Sequence, residues 1–342
     1  MTQPHPSQPH LSKPGTAIVT GASSGIGKVY AERLAARGYD LILVARRQDR
    51  LEEIAANLRQ ICGINAEALV ADLSTPEGLS AVATRLSADA SVSLLVNNAG
   101  FSALKPLAQT ADETILSMIA LNITALTALS KAALVAFKGR NAGTIVNVGS
   151  GAGFSPYPGI PVYGSTKAYV FLFTQSLQQE VEGTAVRVQL VLPGAVVSEG
   201  WDVAGGGALN PLPDSIVMTT EDCVDAALSG LDQGETVTAP SLHDAALLSD
   251  YVALSSQLLQ SVFDATPAAR YRTNQLQPVW SAALGLACGK GPAPADFAAS
   301  PARPDAATLL PGPEQVFVPR AMNEPFPLFR SPLQPSRRGA SP

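Results

Sequence analysis

Short apolar runs rich in β-branched residues alternate with longer amphipathic segments over most of the chain. The runs are five to seven residues long, as buried strands are, and they cover residues 16–20, 40–45, 66–71, 92–96, 144–148, 186–192 and 235–239. Between them, apolar positions recur at helical spacing, in a segment ending at Gly38 and in residues 48–60, 76–87, 113–137, 163–182 and 220–231. Strands that alternate with helices predict a parallel, doubly wound α/β sheet that binds ligands at the carboxyl ends of its strands.

A glycine-rich turn joins the first predicted strand to the first helix. Its sequence is Gly21-Ala22-Ser23-Ser24-Gly25-Ile26-Gly27, with the spacing G-x-x-x-G-x-G. Glycines let backbone N–H groups approach an anion, and the helix N-terminus adds electrostatic attraction. An ordinary tight turn would also explain the glycines, but the strand–turn–helix context favours a site for a dinucleotide pyrophosphate.

Two arginines follow the second predicted strand, where a fold of this kind distinguishes NAD from NADP. An acidic residue at the end of this strand would hold the ribose hydroxyls of NAD, but Ala45 stands there and Arg46 and Arg47 follow. An arginine offers a charged fork to a phosphate. The pattern therefore favours NADP over NAD; the alternative is that both arginines are solvated loop residues.

The third and fourth predicted strands are also followed by candidate ligand-binding residues. Asp72 and Leu73 are placed to contact an adenine, unless Asp72 simply caps the next helix. After the fourth strand come Asn97-Asn98-Ala99-Gly100. Amides followed by two small residues allow a ligand to approach closely or tie neighbouring strands together.

The strongest chemical signal is the stretch Tyr163-Gly164-Ser165-Thr166-Lys167 in the fifth helical segment. A helix places Tyr163 and Lys167 on one face, one turn apart. A lysine ammonium there favours the phenolate and lowers the pKa of the phenol toward its working pH. Ser150, at the carboxyl end of the fifth strand, is placed to hold a carbonyl or alkoxide oxygen. By itself, the Tyr–Lys spacing also fits an amphipathic helix with a surface lysine.

Asn122 lies inside the apolar helical stretch 113–137. A buried amide needs a hydrogen-bond partner, so it marks either a core or helix-kinking hydrogen bond or part of a proton relay. The uncharged run from Thr114 to Ser130 around it is interpreted as a buried or subunit-facing helix rather than a membrane span.

Composition excludes several classes of protein. The chain has 342 residues and a net charge of −5, which gives no electrostatic basis for binding nucleic acid or an anionic membrane. Its three cysteines are too far apart for a disulfide framework or a metal site, and only one of its three histidines lies outside the first ten residues. We therefore expect no metal and no histidine-dependent hydrolase; the thiols are Cys62, Cys223 and Cys288.

The two ends of the chain differ from its middle. Residues 1–13 are predicted to be a flexible, proline-containing leader rather than a signal peptide, and without a targeting element the expected location is cytoplasmic. Residues 14–272 form one predicted domain, with a substrate lid near 198–218 suggested by its glycines. Trp201, Leu209 and Leu212 in the lid suggest an apolar substrate portion, or packing. The Pro/Ala-rich residues 273–342 are predicted to be disordered or loosely extended.

Taken together, these motifs resemble the short-chain dehydrogenases/reductases. The matches follow the family's order and spacing over roughly residues 14–200, with a looser likeness to about residue 272; they are Thr20 to Gly27, Asn97 to Gly100, Asn122, Ser150, Tyr163 with Lys167, and Pro193-Gly194. The resemblance implies a Rossmann fold whose seven parallel strands have the order 3-2-1-4-5-6-7.

The resemblance also implies roles for individual residues. Tyr163 would be the acid/base, Lys167 would lower its pKa and hold the nicotinamide ribose, Ser150 would polarise the carbonyl, and Asn122 would position a relay water. Ser198 stands where the family often has threonine, and its hydroxyl would keep a contact to the carboxamide. The implied cofactor-binding residues are Gly21, Ser23, Ser24, Gly25, Ile26, Gly27, Arg46, Arg47, Asp72, Leu73, Asn98, Ala99, Gly100, Tyr163, Lys167, Pro193, Gly194, Val196 and Ser198.

The activity implied is an NADP(H)-dependent interconversion of a carbonyl and an alcohol on a small-molecule substrate. Family members with a basic residue placed like Arg46 are similar to NADP users. Many members form dimers or tetramers through two long helices, here those around Asn122 and Lys167. The alternative is a regulatory or scaffold protein that binds NADPH without turnover. A serine hydrolase is disfavoured because the chain has no G-x-S-x-G motif and no nearby histidine.

Overall fold

The computed structural model describes residues 14–156, 159–197 and 212–271. The chain forms two compact units, Met1–Val262 and Phe263–Pro342. In the second unit the described residues are 263–271, where Ala269–Tyr271 forms a 3-10 turn. The predicted leader 1–13 and tail 273–342 lie outside the described residues.

A parallel seven-stranded sheet organises the first unit. Its order is β3-β2-β1-β4-β5-β6-β9, which confirms the predicted topology. The ninth strand takes the seventh place because β7 and β8 pair with each other in a separate two-stranded sheet. The strands are β1 Thr16–Thr20, β2 Asp40–Ala45, β3 Ala66–Val70, β4 Val92–Asn97, β5 Gly143–Val148, β6 Val186–Val191, β7 Ala195–Val196, β8 Val217–Met218 and β9 Val237–Thr238.

The helices lie where the apolar periodicity predicts them, with two differences. They are α1 Gly25–Ala36, α2 Gln48–Cys62, α3 Pro76–Ala88, α4 Asp112–Ile119, α5 Leu126–Arg140, α6 Pro161–Glu180, α7 Thr220–Asp232 and α8 Ala246–Val262. The predicted helical stretch over 113–137 is confirmed, but a π-helical segment, Ala120–Ala125, lies within it between α4 and α5. Helix α8 was not predicted.

Both faces of the sheet are buried, as a doubly wound fold requires. Along β1, Ala17 and Val19 pack in one apolar cluster and Ile18 in another, because successive strand residues point to opposite faces. The first cluster includes Leu34 and Leu51 from α1 and α2 together with α7 residues. The second includes residues of α3, α5 and α6. The sheet is thus a rigid base from which loops emerge at its carboxyl edge.

In the described part of the chain, one helical stretch, Asp112–Arg140, is long and apolar enough to span a membrane, with a mean hydropathy of 1.6 over its best window. In this fold, Leu129, Ala133 and Phe137 of that stretch are buried in the second apolar cluster. The stretch therefore packs here as a core helix.

Candidate active site

Ser150 begins a 3-10 turn that rests directly on helix α6. Its Oγ accepts a hydrogen bond from the Ala152 N–H at 3.1 Å. Gly153 in this turn is so close to the helix that an added Cβ would lie 2.8 Å from the carbonyl carbon of Lys167. The contact holds Ser150 beside the first turns of α6, which carry Tyr163 and Lys167, and Ser150 is hydrogen-bonded to Tyr163.

Lys167 is buried, with 7% of its surface exposed. Its Nζ donates a hydrogen bond to the Val148 carbonyl at 2.9 Å and lies 5.8 Å from the centre of the Tyr163 ring. Burial lowers the pKa of Lys167 to about 8, because the charged form is desolvated. The lysine is therefore positioned under the phenol and can change its charge near neutral pH.

The pKa of Tyr163 is raised by burial, and the hydrogen bond with Ser150 opposes that effect. Part of the tyrosine surface remains accessible, but the surrounding protein is dense enough to disfavour the phenolate. The predicted lowering by Lys167 is thus not produced by the protein's own groups, since the lysine is itself desolvated. In this arrangement Tyr163 holds its proton and is set to donate it.

Asn122 lies in the π-helical segment and uses its amide to connect three elements. Its Nδ2 donates to the Phe101 carbonyl at 2.9 Å and to Thr166 Oγ1 at 3.1 Å, and its Oδ1 accepts from the Phe101 N–H at 3.1 Å. Gly100 is needed for this close approach, because a Cβ there would lie 3.0 Å from Asn122 Oδ1. These contacts tie the Asn122 amide to the helical turn that carries Tyr163 and Lys167, so the amide has a structural role at this turn.

Thr166 was not among the predicted site residues. It is buried, accepts the hydrogen bond from Asn122 and donates to the Tyr163 carbonyl at 2.8 Å. Its position next to Lys167, on the turn between the two predicted catalytic residues, was the only sequence signal for it.

The glycine-rich turn has the tight geometry that its sequence predicts. Gly21 and Gly25 have φ values of 69° and 53°, and a Cβ on Gly27 would lie 2.3 Å from the Gly21 carbonyl oxygen. Ser24, at the N-cap of α1, makes no capping hydrogen bond with its side chain. The turn therefore presents backbone N–H groups at a helix N-terminus, which suits a phosphate.

Thr20 and Asn98 fix this turn against β4. Thr20 Oγ1 accepts from the N–H groups of Asn98 and Ala99 at 2.9 and 3.0 Å, and Asn98 Nδ2 donates to the Thr20 carbonyl at 2.9 Å. Of the two predicted roles for the amides after β4, the structure shows the tie between neighbouring strands. The role of Thr20 was not predicted. The sequence signal for it was a hydroxyl side chain at the end of an apolar strand.

The structure separates the roles of the two arginines. Arg47 Nη2 donates to Ser23 Oγ at 2.9 Å and to Ser24 Oγ at 2.8 Å. Arg46 is mostly exposed, and its Nη1 lies 3.9 Å from Asp72 Oδ2. The guanidinium at the glycine-rich turn is therefore that of Arg47. This cation, together with the hydroxyls of Ser23 and Ser24, suits the binding of a phosphate group.

Asp72 and Leu73 have local structural roles. Asp72 Oδ1 accepts from the Ser74 N–H and hydroxyl at 2.9 and 2.6 Å, and these hydrogen bonds lower the pKa of Asp72. The side chain that caps α3 is Thr75, not Asp72. Leu73 is buried in the apolar core.

A cleft of about 440 Å³ adjoins the glycine-rich turn, between α1 and α2. The residues that line it include Ser23, Ser24, Gly25, Lys28, Arg50 and Thr220. Ser150, Tyr163 and Lys167 do not line it, so the cleft extends the phosphate side of the site rather than its catalytic side.

The end of β6 is tied to the turn that carries Ser150. The Gly151 N–H donates to the Pro193 carbonyl at 2.9 Å, and Gly194 follows. Val196 is buried in β7, which pairs with β8, and Thr220 Oγ1 donates to the Val197 carbonyl at 2.6 Å. Of the predicted lid, residues 198–211 lie outside the described residues, including Ser198, Trp201 and Leu209. Leu212 is half-buried, and Asp214–Ile216 form a 3-10 turn.

Within the described residues, no group of three His, Cys, Asp or Glu side chains could hold a metal ion. Cys223 is buried, and burial raises the pKa of its thiol to about 12. Cys62 is partly exposed, and Cys288 lies outside the described residues.

A family model described as short chain dehydrogenase matches residues 15–204. Among curated proteins, the very-long-chain 3-oxoacyl-CoA reductase of Rattus norvegicus is 35% identical over 181 residues, which cover 52% of this chain and 58% of that protein. The chain thus spans less than two thirds of that relative. Sulfoacetaldehyde reductase 2 of Chromohalobacter salexigens is 40% identical over 193 residues, 56% of this chain and 76% of that protein.

Two solved structures resemble the whole described fold. A short-chain dehydrogenase from Sphingobium yanoikuyae in complex with NADPH is 45% identical, with a TM-score of 0.73, over 75% of this chain and 100% of that one. The bulky-bulky ketone specific alcohol dehydrogenase from Comamonas testosteroni is 38% identical, with a TM-score of 0.70, over 76% and 100%.

Proposed function

The chain belongs to the short-chain dehydrogenase family, and we propose that it is an NADP(H)-dependent oxidoreductase that interconverts a carbonyl group and an alcohol. One observation carries this proposal: the buried Lys167 lies under the ring of Tyr163, and Ser150 is hydrogen-bonded to that tyrosine. A protein that only binds a nucleotide has no need of a proton donor, its cation and a second hydroxyl in one place.

When bound, NADPH supplies the hydride that reduces the carbonyl carbon. The protein's own part is the proton. The Ser150 hydroxyl donates a hydrogen bond to the carbonyl oxygen and stabilises the negative charge that develops on it. The O–H bond of Tyr163 then breaks as a new O–H bond forms on the substrate oxygen, which yields the alcohol and a phenolate.

Lys167 stabilises the phenolate left on Tyr163. Its pKa of about 8 means that the ammonium is present at neutral pH, yet it can also give up a proton to recharge the tyrosine. Oxidation of an alcohol uses the same groups in reverse, with the Tyr163 phenolate accepting the proton. The side-chain amide of Asn122 is already hydrogen-bonded to Phe101 and Thr166, which supports a positioning role for it; the relay water stays a prediction.

The preference for NADP over NAD is supported by the guanidinium of Arg47. It lies against the hydroxyls of Ser23 and Ser24 at the glycine-rich turn, where a fold of this kind receives the ribose after β2. A 2′-phosphate there would gain charge-assisted hydrogen bonds. The similar protein from Sphingobium yanoikuyae is described in complex with NADPH.

The names of the similar proteins share one chemical group. A 3-oxoacyl-CoA, sulfoacetaldehyde and a bulky ketone all carry a carbonyl. This supports a carbonyl compound as the substrate in the direction of reduction.

We also propose that the protein forms a homo-oligomer through the helices around Asn122 and Lys167. Large apolar side chains on α4, α5 and α6 remain exposed, which is the mark of an interface. They are Leu116, Val135 and Leu172, which are 67%, 68% and 63% exposed.

The test is oxidation of NADPH and NADH by the purified protein with a panel of ketones, aldehydes and quinones, for the wild type and Tyr163→Phe. We expect turnover with NADPH that Tyr163→Phe abolishes while NADPH binding, measured by fluorescence titration, is retained. Tyr169→Phe is the matched control, because Tyr169 lies on the same helix with its ring on an exposed surface. Tight NADPH binding without turnover of any carbonyl would favour the regulatory alternative.

A further inference from the structure

Resting on the proposed function, we propose that Tyr251 of α8 is a positioning residue for the reaction: it packs on Phe154 and thereby holds the turn that begins with Ser150. Phe154 directly follows the 3-10 turn Gly151–Gly153, which Ser150 begins. Helix α8 carries none of the sequence motifs that point to the active site, so its part in catalysis has to act through this contact.

The turn after Ser150 has little rigidity of its own. It consists of Gly151, Ala152 and Gly153, so a methyl group is its largest side chain. Glycine leaves a backbone with more conformational freedom than any other residue. Phe154 is the first side chain after Ser150 that is large enough to anchor the turn by packing, and the position of the Ser150 hydroxyl therefore depends on what holds Phe154.

Phe154 belongs to a cluster of three aromatic rings. Its ring centre lies 5.3 Å from that of Phe171 and 5.4 Å from that of Tyr251, and the centres of Phe171 and Tyr251 are 5.8 Å apart. The three interplanar angles are 67°, 76° and 77°, so each pair has the edge-to-face geometry that aromatic rings favour. Each ring contacts both of the others, and removal of one leaves a gap beside the remaining two.

Phe171 connects this cluster to the catalytic helix. It is buried in α6 and follows Tyr163 and Lys167 at successive intervals of four positions, so the three side chains form one stripe along the helix. The turn before Phe154 lies against the same helix, because a Cβ on Gly153 would lie 2.8 Å from the Lys167 carbonyl carbon. The aromatic cluster therefore fixes Phe154 relative to the side chains that would handle the proton.

Helix α8 brings Tyr251 to the solvent side of this cluster. Tyr251 is 38% exposed, whereas Phe171 is 3% exposed. Leu248 and Val252, on either side of Tyr251 in the helix, pack against the apolar cluster that contains Phe171. Tyr251 makes the ring contact with Phe154, so it links α8 directly to the Ser150 turn.

The hydrogen bond between Ser150 and Tyr163 depends on where this turn lies. A hydroxyl that stabilises charge on a carbonyl oxygen has to stay within hydrogen-bond distance of that oxygen. Loss of the Tyr251 ring removes one wall of the space that holds Phe154, so the turn gains freedom and the hydroxyl is less often in place. The glycine-rich turn follows β1, so cofactor binding there should be unaffected.

The experiment measures kcat and the KM for NADPH in the full-length protein, with the carbonyl compound of the panel that the wild type reduces best. Tyr251→Ala is expected to lower kcat by about tenfold and to change the KM for NADPH by less than about twofold. Tyr251→Phe keeps the ring and should retain most of the activity. Leu254→Ala is the matched control, because Leu254 lies on the same helix and is 57% exposed; its kcat should not change. If circular dichroism shows that Tyr251→Ala does not fold, Tyr251→Leu, which keeps an apolar side chain without the ring, takes its place.

Two double variants test whether Tyr251 acts through Phe154 and Ser150. Added to Phe154→Ala, Tyr251→Ala should lower kcat by less than about a further twofold, because the ring on which it packs is gone. Added to Ser150→Ala, whose slow turnover is followed by product accumulation over hours, it should likewise cause little further loss.

Three results would overturn this inference alone. They are an unchanged kcat in Tyr251→Ala, an equal loss in Leu254→Ala, or a loss from Tyr251→Ala that is as large in the Ser150→Ala or Phe154→Ala background as in the wild type. Absence of turnover by the wild type with every carbonyl compound would instead overturn the proposed function.

Discussion

The side-chain amide of Asn122 donates a hydrogen bond to the hydroxyl of Thr166 at 3.1 Å, across 44 positions of sequence. Thr166 in turn donates to the Tyr163 carbonyl at 2.8 Å. The hydroxyl therefore joins the π-helical segment to the helical turn that carries Tyr163 and Lys167. Removal of this link should disturb the alignment of the catalytic groups without removing any of them.

Thr166→Val is expected to lower kcat by about tenfold, in line with the loss of one buried hydrogen bond, while the KM for NADPH changes little. Thr166→Ser should restore most of the activity. Thr174→Val is a matched control, because Thr174 is equally buried and accepts from Asn147 Nδ2 at 3.1 Å outside the catalytic turn. If Thr174→Val reduced kcat as much as Thr166→Val, the effect would be one of general packing.

The buried ammonium of Lys167 gives stability a defined pH dependence. Its pKa falls from an ordinary 10.5 to about 8 on folding. Below about pH 8 the folded protein bears the full cost of burying the charge. Between about pH 8 and 10.5 the unfolded chain binds more protons than the folded one, so the free energy of unfolding rises with pH in that window.

Lys167→Met is therefore expected to increase the free energy of unfolding at pH 7 by about 1–3 kcal/mol, an advantage that shrinks as the pH rises to 10. Denaturant unfolding of both proteins across this pH range measures it. Lys131→Met, at an exposed position on α5, is the control and should show no such trend. An advantage that stayed constant with pH would show that the gain comes from packing rather than charge.

Arg47 and Arg46 are expected to differ in their effect on cofactor choice. Arg47→Ala should raise the KM for NADPH by about 10–100-fold, the range for a charge-assisted hydrogen bond, and alter the KM for NADH much less. Arg46→Ala should have a smaller effect, because Arg46 is 74% exposed and lies 3.9 Å from Asp72. Steady-state kinetics with both cofactors measure this, and equal losses for NADPH and NADH in Arg47→Ala would contradict it.

Tyr30 offers a route to a more stable protein. The residue is buried in the core, its hydroxyl has no hydrogen-bond partner within the described structure, and burial raises its pKa. Tyr30→Phe removes an unsatisfied polar group and keeps the ring, so we expect a gain of about 1 kcal/mol. Thermal unfolding should show a higher Tm, whereas Tyr30→Ala should lower it by leaving a cavity. A lower Tm in Tyr30→Phe would reveal a partner for the hydroxyl.

The sheet was predictable because its strands are short, apolar and β-branched. Each run of the kind seen in Thr16–Thr20 can be buried on both faces, and the intervening helices allow only parallel neighbours. Ser150, Tyr163 and Lys167 were predictable for a related reason, since a strand end and one helical turn fix their positions.

Other features depend on contacts that no local pattern encodes. The π-helical segment around Asn122 inserts one residue into a helix whose apolar spacing is otherwise uninterrupted. Arg47 rather than Arg46 reaches the serines, and two adjacent arginines in a sequence do not reveal which of them does so. Helix α8 was not predicted, although Leu247, Leu254 and Leu258 recur at helical spacing; these side chains remain largely exposed in the structure.

The small sheet formed by β7 and β8 holds together two points of the chain that are 22 positions apart. The Val197 N–H also donates to the Met218 carbonyl at 3.0 Å, and Thr220 Oγ1 to the Val197 carbonyl. The intervening sequence therefore starts and ends at positions that are hydrogen-bonded to each other. In engineering terms this makes the stretch between Val197 and Val217 a grafting site: a replacement segment would have both of its ends held by these contacts while the catalytic framework keeps its place.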